Sequence, residues 1–248
     1  MKSRFGKILH VLFRTNLVQT LRFNWKMLPA RQAWHLPFHF YGKVEFRSLK
    51  GRVILDGPVK CGMIRVGVKD CYVDTHVPLT IWTINGTVRF RGKALFLRGS
   101  YLLVAKSGTL TIGTHRTAFA AGLRLFCFDS ITIGDCARIA WECQIMDTSF
   151  HYLEHTDTGE VPPLTKPVVI GDRVWIGNRS TISKGAVIPS DTIVASGSLV
   201  NRDFSSLEPF CLLAGVPAAK KATGIRRVLD MDRERALDEQ YHYDRTHL

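Results

Sequence analysis

An aliphatic residue recurs at every sixth position in the most regular part of this chain. Counting by sixes from Ile170 reaches Ile176, Ile182, Ile188, Val194 and Val200. Neither common periodicity explains this spacing, because a strand repeats its faces every two residues and an α-helix every 3.6. Short strands joined by tight corners do explain it. Each unit of six then forms one side of a coil, and its aliphatic side chain points into a narrow core.

Small residues follow the aliphatic positions, as tight corners require. Glycine stands at 113, 134, 171 and 177 and alanine at 140 and 195. Glycine accepts backbone angles that branched residues avoid. A second set, Ile133, Ile139 and Ile145, precedes the first, whereas the spacing is irregular between Val53 and Ile112. Stacked coils bury a continuous aliphatic column. The pattern predicts an all-β solenoid, a parallel β-helix of hexapeptide repeats, over residues 42–218.

The segments on either side of the repeats have helical character. In residues 1–41, an apolar stripe at 5, 8, 9 and 12 has helical spacing and predicts an amphipathic helix over 4–22. This helix either packs on the end of the main domain or rests on anionic lipid. Residues 219–248 are rich in charge, and we predict a short helix near 226–240 that caps the repeat array.

The charge of the chain is unevenly distributed. The net charge is +13, and residues 1–44 contain eight Lys or Arg and no acidic residue before Glu45. Such a segment suits nucleic acid, an anionic membrane surface or a phosphorylated ligand. No nucleic-acid-binding motif accompanies it, so we do not expect nucleic acid as a partner.

The sequence shows no apolar run long enough to span a bilayer and no secretion signal, which favours a cytoplasmic location. The six cysteines lack metal-site or disulfide spacing, and we expect small buried thiols.

The string IGDRVWIGN, followed by GAVIPSDTIVASGSLVNRDF and AGVPAAK, resembles the hexapeptide-repeat acetyltransferases. The resemblance is most specific over about 125–220 and is closest to bacterial surface-polysaccharide O-acetyltransferases and to the galactoside and maltose acetyltransferases. It implies a left-handed coil, acetyl-CoA as acyl donor, a saccharide acceptor and no metal. It further implies a homotrimer with active sites between subunits. Polysaccharide precursors are made at the inner face of the membrane, so the resemblance implies that the enzyme acts there.

The repeat is interrupted once, between Ile145 and Ile170, by an excursion loop at about 147–168. Loops that leave a rigid scaffold often carry functional groups. In the resembling family a histidine lies 24 residues before the Trp of the VWIG motif, which corresponds to His151. An alcohol is a poor nucleophile toward a thioester, and a neutral imidazole can remove its proton during attack. We therefore expect His151 to be the catalytic base, without an acyl-enzyme. For His155 we expect a surface role.

Two acidic residues near this loop are candidates for supporting roles. Asp129 matches the position of a family carboxylate that binds the acceptor sugar, or it is a corner residue that caps a turn. Asp147 is a candidate for orienting the imidazole. Many polysaccharide-type members have a second carboxylate where this chain has Ser149. The residue that orients His151 therefore stays open.

The last coils carry the residues that the resemblance assigns to coenzyme A. Trp175 would lie near the pantetheine arm, and cations near the chain end would meet the phosphates. The family has Lys where Arg202 stands, which preserves the charge. Packing of Trp175 between coils and a solvated cationic rim are the simpler alternatives. The complete set of candidates is Trp175, Asn178, Ser196, Asn201, Arg202, Lys220 and Lys221.

Three other functions remain open from the residues. His115, His151 and His155 resemble the three histidines of a zinc enzyme of the carbonic-anhydrase type, since His115 and His151 are 36 residues apart. A β-helix scaffold or nucleic-acid binder is a non-enzymatic alternative. Within the transferases, the acceptor is either a hydroxyl or the amine of an amino sugar.

Overall fold

The computed structural model describes residues 14–69, 79–115 and 117–243, in which the strands form three sheets. Sheet A contains β1 (Phe38–Phe40), β4 (Ile64–Val68), β7 (Ala94–Leu97), β10 (Thr117–Phe119), β13 (Arg138–Ile139), β16 (Trp175–Ile176), β19 (Ile193–Val194), β21 (Cys211–Gly215) and β22 (Ala218–Thr223). Sheet B contains β2 (Val44–Leu49), β5 (Thr80–Ile84), β8 (Tyr101–Val104), β11 (Arg124–Cys127), β14 (Gln144–Met146), β17 (Thr181–Ile182) and β20 (Leu199–Val200). Sheet C contains β3 (Arg52–Leu55), β6 (Thr87–Phe90), β9 (Thr109–Ile112), β12 (Ser130–Ile133), β15 (Val168–Ile170) and β18 (Val187–Ile188).

The order of the strands shows a three-sided coil. Up to β19, each sheet pairs strands that are three apart in the chain, and these pairs are parallel. The chain therefore passes through sheets A, B and C once in every coil, as a left-handed parallel β-helix. The final pair, β21 with β22, is antiparallel and folds the chain back along sheet A. This architecture confirms the predicted solenoid.

Glycine follows several of the inward aliphatic residues because the corners of successive coils lie in close contact. At the corner between sheets C and A, a Cβ on Gly134 would approach the carbonyl carbon of Gly171 to 2.6 Å. A Cβ on Gly171 would in turn lie 2.5 Å from the backbone nitrogen of Ser190. No side chain fits at such distances from a neighbouring backbone, so the sequence uses glycine at these stacked corners.

The aliphatic column is buried as predicted, including the set from Ile133 to Ile145 and the set from Ile170 to Val200. In the first coils, large aromatic side chains occupy the inward positions instead, among them Trp82, Phe90 and Phe96. The strands there are also longer than the two-residue strands of the last coils, with six residues in β2 and four in β3. Longer strands and bulky inward residues change the spacing, which is why no regular repeat of six appears before Ile112.

Two amino-terminal helices close the first coil. They are α1 (Leu17–Met27) and α2 (Ala30–Ala33). The side chain of Asn24 donates to the Phe38 carbonyl at 2.8 Å and accepts from the Phe38 N–H at 3.1 Å. The Phe40 N–H donates to the Thr20 hydroxyl at 3.1 Å. These polar side chains satisfy the backbone of β1, which would otherwise be an open sheet edge.

The predicted helix over 4–22 differs from the structure at its boundary. Residues 4–13 lie outside the described ranges, and in the described residues α1 begins at Leu17 and ends at Met27. The reason is the N-cap Asn16, whose side chain accepts from the Gln19 N–H. The described part of the segment packs on the end of the β-helix, in agreement with the interpretation of a helix that packs on the main domain.

The carboxy-terminal segment is only partly helical. Ala218–Thr223 forms β22, and the helix α3 (Met231–Gln240) begins later than the predicted 226. Asp230 sets this start, because its carboxylate accepts from the N–H groups of Asp232 and Arg233. In the described ranges, no helix is long and apolar enough to cross a membrane.

None of the five described cysteines forms a disulfide bond. Cys127, Cys143 and Cys211 are buried as expected, whereas Cys136 is half-buried and Cys61 is exposed, which contradicts the expectation of buried thiols. Cys61 stands in the turn just before β4, outside the inward positions of the strands. Cys71 lies outside the described residues.

Candidate active site

The excursion loop leaves the coil after β14 and rejoins it at β15, so it starts at the corner between sheets B and C. Its two ends are held together as a short antiparallel pair. Thr148 pairs with Thr165, and the Ser149 N–H donates to the Leu164 carbonyl at 3.1 Å. The base of the loop is therefore fixed to the scaffold, although residues 151–160 are exposed.

Lys184 strengthens this base from the next coil. It lies between β17 and β18, at the same corner between sheets B and C. Its ammonium group donates to the Pro163 carbonyl at 3.0 Å and to the Ser149 hydroxyl at 3.2 Å. One side chain thus contacts both ends of the loop. Hydrogen bonds from a charged donor are stronger than those between neutral groups.

Phe150 sets the direction of the chain at the entrance to the loop. It adopts a left-handed backbone conformation, with φ of 61°. Its ring packs edge-on against Phe126 and Phe128, with centroid distances of 5.4 and 5.6 Å. Such a conformation is unfavourable for a bulky residue and persists where the surroundings enforce it. The two ring contacts therefore fix the residue that immediately precedes His151.

His151 lies just beyond this fixed point and is exposed. Its imidazole makes no hydrogen bond or ion pair with any residue that the structure describes, and only its backbone carbonyl accepts, from the Ser149 hydroxyl at 3.1 Å. His155 lies farther along, where its carbonyl accepts the Gly159 N–H in a turn at the exposed part of the loop. The first histidine is thus next to the scaffold, and the second is on the outer part of the loop.

The two candidate acids occupy different environments. Asp147 is fully buried, and its two carboxylate oxygens accept from the N–H groups of Phe128 and Asp129, each at 2.8 Å. No hydrogen bond joins Asp147 to His151 in the described residues. Asp129 is half-buried, and its carboxylate forms no hydrogen bond or ion pair with another described residue. Asp147 therefore supports the corner, and Asp129 keeps its carboxylate available.

The predicted donor residues divide into two groups. Ser196 donates its hydroxyl proton to the Asn178 side-chain oxygen at 2.6 Å, across two stacked corners between sheets A and B. Gly177 allows these corners to meet, because a Cβ there would lie 2.5 Å from the Ser196 nitrogen. Trp175 lies on the outer side of sheet A in the strand before Asn178 and is 42 % exposed. Its side chain points away from the aliphatic column, whose member in this strand is Ile176.

The second group lies at the end of the solenoid. The Arg202 guanidinium donates to the Ala218 carbonyl at 2.7 Å, which ties it to β22. Lys220 and Lys221 are exposed on the same strand, and Asn201 is exposed next to Arg202. The structure therefore brings the three cations toward one end of sheet A. None of them forms an ion pair with a described residue, so the cluster can accept an anionic ligand.

Sheet B separates the two halves of the predicted site within one chain. His151 and Asp129 belong to the corner between sheets B and C, whereas Asn178 and Ser196 belong to the corner between sheets A and B. The short strands of sheet B lie between these corners. A single chain thus presents His151 at one corner of the coil and the Asn178–Ser196 pair at another.

The three histidines of the zinc alternative are not gathered in one chain. The described residues contain no group of three or more His, Cys, Asp or Glu side chains that could hold a metal ion, and His115, His151 and His155 are among those residues. His115 precedes β10, at the corner between sheets C and A, whereas the other two lie on the excursion loop.

Lys184 and the aromatic contacts of Phe150 were not predicted. Sequence spacing gave no sign of either, because Lys184 is separated from Ser149 by 35 residues and contacts it only through the stacking of coils. A count of one coil forward from the loop would have pointed to this corner. It would not have distinguished Lys184 from any other surface lysine.

Comparisons with known proteins agree with the fold and the repeat. No family model matches the chain. Galactoside O-acetyltransferase from Escherichia coli K12 is 31 % identical over 104 residues, which are 42 % of this chain and 47 % of that protein. The putative lipopolysaccharide biosynthesis O-acetyl transferase WbbJ from the same strain is 33 % identical over 98 residues, 36 % of this chain and 48 % of that protein. The chain spans about half the length of these curated relatives.

A solved structure extends the likeness of fold to most of the chain. The polySia specific acetyltransferase NeuO superposes with a TM-score of 0.57 at 24 % identity, over 82 % of each chain. These findings confirm the resemblance of the repeat region to the hexapeptide-repeat acetyltransferases, whose left-handed parallel β-helix this chain shares.

Proposed function

We propose that the protein is an acetyl-CoA-dependent O-acetyltransferase that acts on a hydroxyl group of a saccharide. The observation that carries this proposal is the placement of His151. Its imidazole is exposed and unpaired among the described residues, and it follows a loop base held by Lys184 and Phe150. A base that is available to substrate and held in position is what direct attack on a thioester requires.

His151 would remove the proton of the acceptor hydroxyl as its oxygen attacks the thioester carbonyl. The oxygen–carbon bond forms, the carbon–sulfur bond breaks, and coenzyme A leaves as a thiol after taking up a proton. General-base catalysis of this kind contributes about 10²–10⁴-fold in rate. Asp129 suits a role in binding the acceptor, because a carboxylate accepts hydrogen bonds from sugar hydroxyls.

Cys127 and Cys143 are not suited to form an acyl-cysteine intermediate. Burial raises the pKa of Cys143 to about 11, and burial together with the Asp147 charge raises the pKa of Cys127 far above its usual value. Both stay protonated at neutral pH, and a thiol is a much weaker nucleophile than its thiolate. Both side chains are also fully buried and out of reach of substrate.

The donor would bind beside Trp175 and along the corner of Asn178 and Ser196. The cations at the end of sheet A, which are Arg202, Lys220 and Lys221, would bind its phosphate groups. Coenzyme A has a long thiol arm at one end and phosphate groups at the other. It would extend from the small residues at this corner to the three cations.

The separation of the two halves by sheet B supports a homotrimer with sites between subunits. The His151 loop of one subunit would then face the Asn178 corner of its neighbour. Mixed trimers test this arrangement. Co-expressed His151→Ala and Asn178→Ala chains, each poorly active alone, should form some sites with neither substitution and recover activity. If mixing restores nothing although mixed trimers form, the shared site is wrong.

The acceptor would be a cell-surface polysaccharide precursor, in line with the putative lipopolysaccharide biosynthesis O-acetyl transferase that resembles the chain. The amine of an amino sugar is the second candidate, because a neutral imidazole can also accept a proton from an attacking amine. Product analysis separates them, since an O-acetyl ester is lost in mild alkali and an N-acetyl amide is not.

The decisive experiment is acetyl transfer from labelled acetyl-CoA to a panel of saccharides. We expect His151→Ala to lower kcat by about 10²-fold or more. His155→Ala is the matched control, on the same loop, and should keep its activity. Full activity in His151→Ala would refute the mechanism. Activity that follows zinc content, measured on the same preparations, would instead favour the metal alternative.

A further inference from the structure

Helix α1 carries a second apolar stripe that does not face the core. Thr20, Phe23, Asn24 and Met27 form its buried face. On another side, Val18, Leu21 and Trp25 are 72 %, 40 % and 44 % exposed. Their spacing of three and four residues places them on one side of the helix. These side chains contribute little to the core, so their apolar character needs another explanation.

Trp34 extends this stripe into a continuous surface. It lies just after α2 and is 74 % exposed. Its ring meets that of Trp25 edge-on, with a centroid distance of 5.1 Å. Two exposed indoles in contact form a large apolar area with polar N–H groups. Tryptophan is enriched where one part of a side chain meets hydrocarbon and another meets water, as at a membrane interface.

Cations surround this apolar surface. Arg14, Arg22, Lys26 and Arg31 are exposed, and the sequence contains no acidic residue before Glu45. The Arg22 guanidinium lies 5.9 Å from the centroid of the Phe46 ring, so this residue packs on the domain and keeps its charge at the surface. Each cation close to an anionic bilayer adds to the electrostatic attraction.

We propose that this end of the β-helix binds the surface of an anionic lipid bilayer. The contact surface consists of Val18, Leu21, Trp25 and Trp34 with the four cations around them. The apolar side chains enter the headgroup region, and the cations meet lipid phosphates. This inference is independent of the acetyl-transfer chemistry. It assigns the described part of the contact to residues 14–34, whereas the sequence suggested 4–22.

A bilayer explains the surface better than nucleic acid does. Nucleic acid would be bound by the cations but gives no reason for an exposed aliphatic stripe at Val18 and Leu21. A second copy of the chain would carry the same positive charge, and two such surfaces would repel each other. Anionic lipid matches the apolar and the charged components together.

The experiment uses the full chain and two kinds of vesicle. One contains phosphatidylcholine alone, and the other contains about 30 % phosphatidylglycerol, which supplies the negative surface potential. In co-sedimentation we expect binding to the anionic vesicles, weaker binding to the neutral ones, and release at high salt. Trp25→Ser/Trp34→Ser should weaken binding at least about tenfold, because two interfacial indoles are lost.

Two further variants make the result specific. Tyr241→Ser/Tyr243→Ser is the matched control, since these aromatic side chains are 70 % and 59 % exposed on the carboxy-terminal segment, and it should bind like the wild type. Arg22→Gln/Lys26→Gln should lose binding to anionic vesicles only. All variants should retain acetyl transfer to a soluble acceptor, which separates this proposal from the proposed function.

Three outcomes would overturn the proposal. The wild type could fail to bind anionic vesicles, or the tryptophan variant could bind them as well as the wild type does. Alternatively, the tryptophan variant could change the oligomeric state or lose affinity for single-stranded DNA while vesicle binding is unchanged. A changed oligomeric state would assign the surface to a second copy of the chain, and a lost affinity for single-stranded DNA would assign it to nucleic acid.

Discussion

The buried carboxylate of Asp147 holds the backbone of Asp129, whose N–H donates to its Oδ2 at 2.8 Å. The other oxygen accepts from the Phe128 N–H at the same distance. The two acids that the sequence offered as supporting residues therefore have different relations to the loop. Asp147 builds the corner from which the loop starts, and Asp129 stands on that corner with an available carboxylate.

We expect Asp147→Ala to lower the free energy of unfolding by about 2–5 kcal/mol, since two buried N–H groups lose their acceptor. Asp147→Asn should cost less, because one acceptor oxygen remains. Urea unfolding measures both. Asp129→Asn is the matched variant and should leave stability within about 0.5 kcal/mol of the wild type, while it raises KM for the saccharide. If Asp147→Asn shifted the pH dependence of kcat/KM, the residue would orient His151 after all.

Lys184→Met should reduce kcat by about tenfold, because the loop base loses a cation that contacts both of its ends. The change in stability should be below about 1 kcal/mol, since Lys184 is only half-buried. Limited proteolysis should cut the loop faster in the variant. Lys184→Arg should restore part of the activity. Lys106→Met changes an exposed lysine elsewhere on the β-helix and should have no effect; an equal loss there would show that the effect is not specific to the loop.

Asn24→Leu should destabilise the protein by about 2–4 kcal/mol, because the N–H and carbonyl groups of Phe38 lose their partners in a buried environment. Thermal or urea unfolding measures the loss. Lys26→Gln on the exposed side of the same helix is the control, with an expected effect within about 0.5 kcal/mol. An unchanged stability in Asn24→Leu would mean that the edge of β1 does not depend on this cap.

The stability of the protein should fall at alkaline pH because of Cys143. Burial raises its pKa from 9.0 to about 11, so the folded state keeps a proton that the unfolded state releases. The stabilisation is complete below about pH 9 and is lost as the pH rises through about 11, at up to about 1.4 kcal/mol per pH unit. Unfolding of wild type and Cys143→Ala between about pH 8 and 10.5 measures it. The stability of the wild type should fall more steeply, and parallel curves would contradict the assignment.

The carboxy-terminal coils were predictable because a regular repeat constrains every residue in the same way. The aliphatic side chains at 170, 176 and 182 share one environment, and a single pattern reports all of them. The first coils were less clear because Trp82 and Phe96 replace aliphatic residues, and because their longer strands shift the spacing. The start of α1 at Leu17 was not predicted, because it is set by the local hydrogen bond of the Asn16 cap and not by the apolar stripe.

By itself, the sequence determined the three-sided β-helix, the interruption at the loop and the position of a histidine on it. Only the tertiary structure decided how that histidine is held. The contacts of Lys184 with Ser149, and of Asp147 with Asp129, join residues in different coils. They depend on which side chains meet when coils stack. A periodic pattern specifies that each coil lies on the next, but the pairing of individual polar groups across a corner depends on backbone positions that form only in the folded chain.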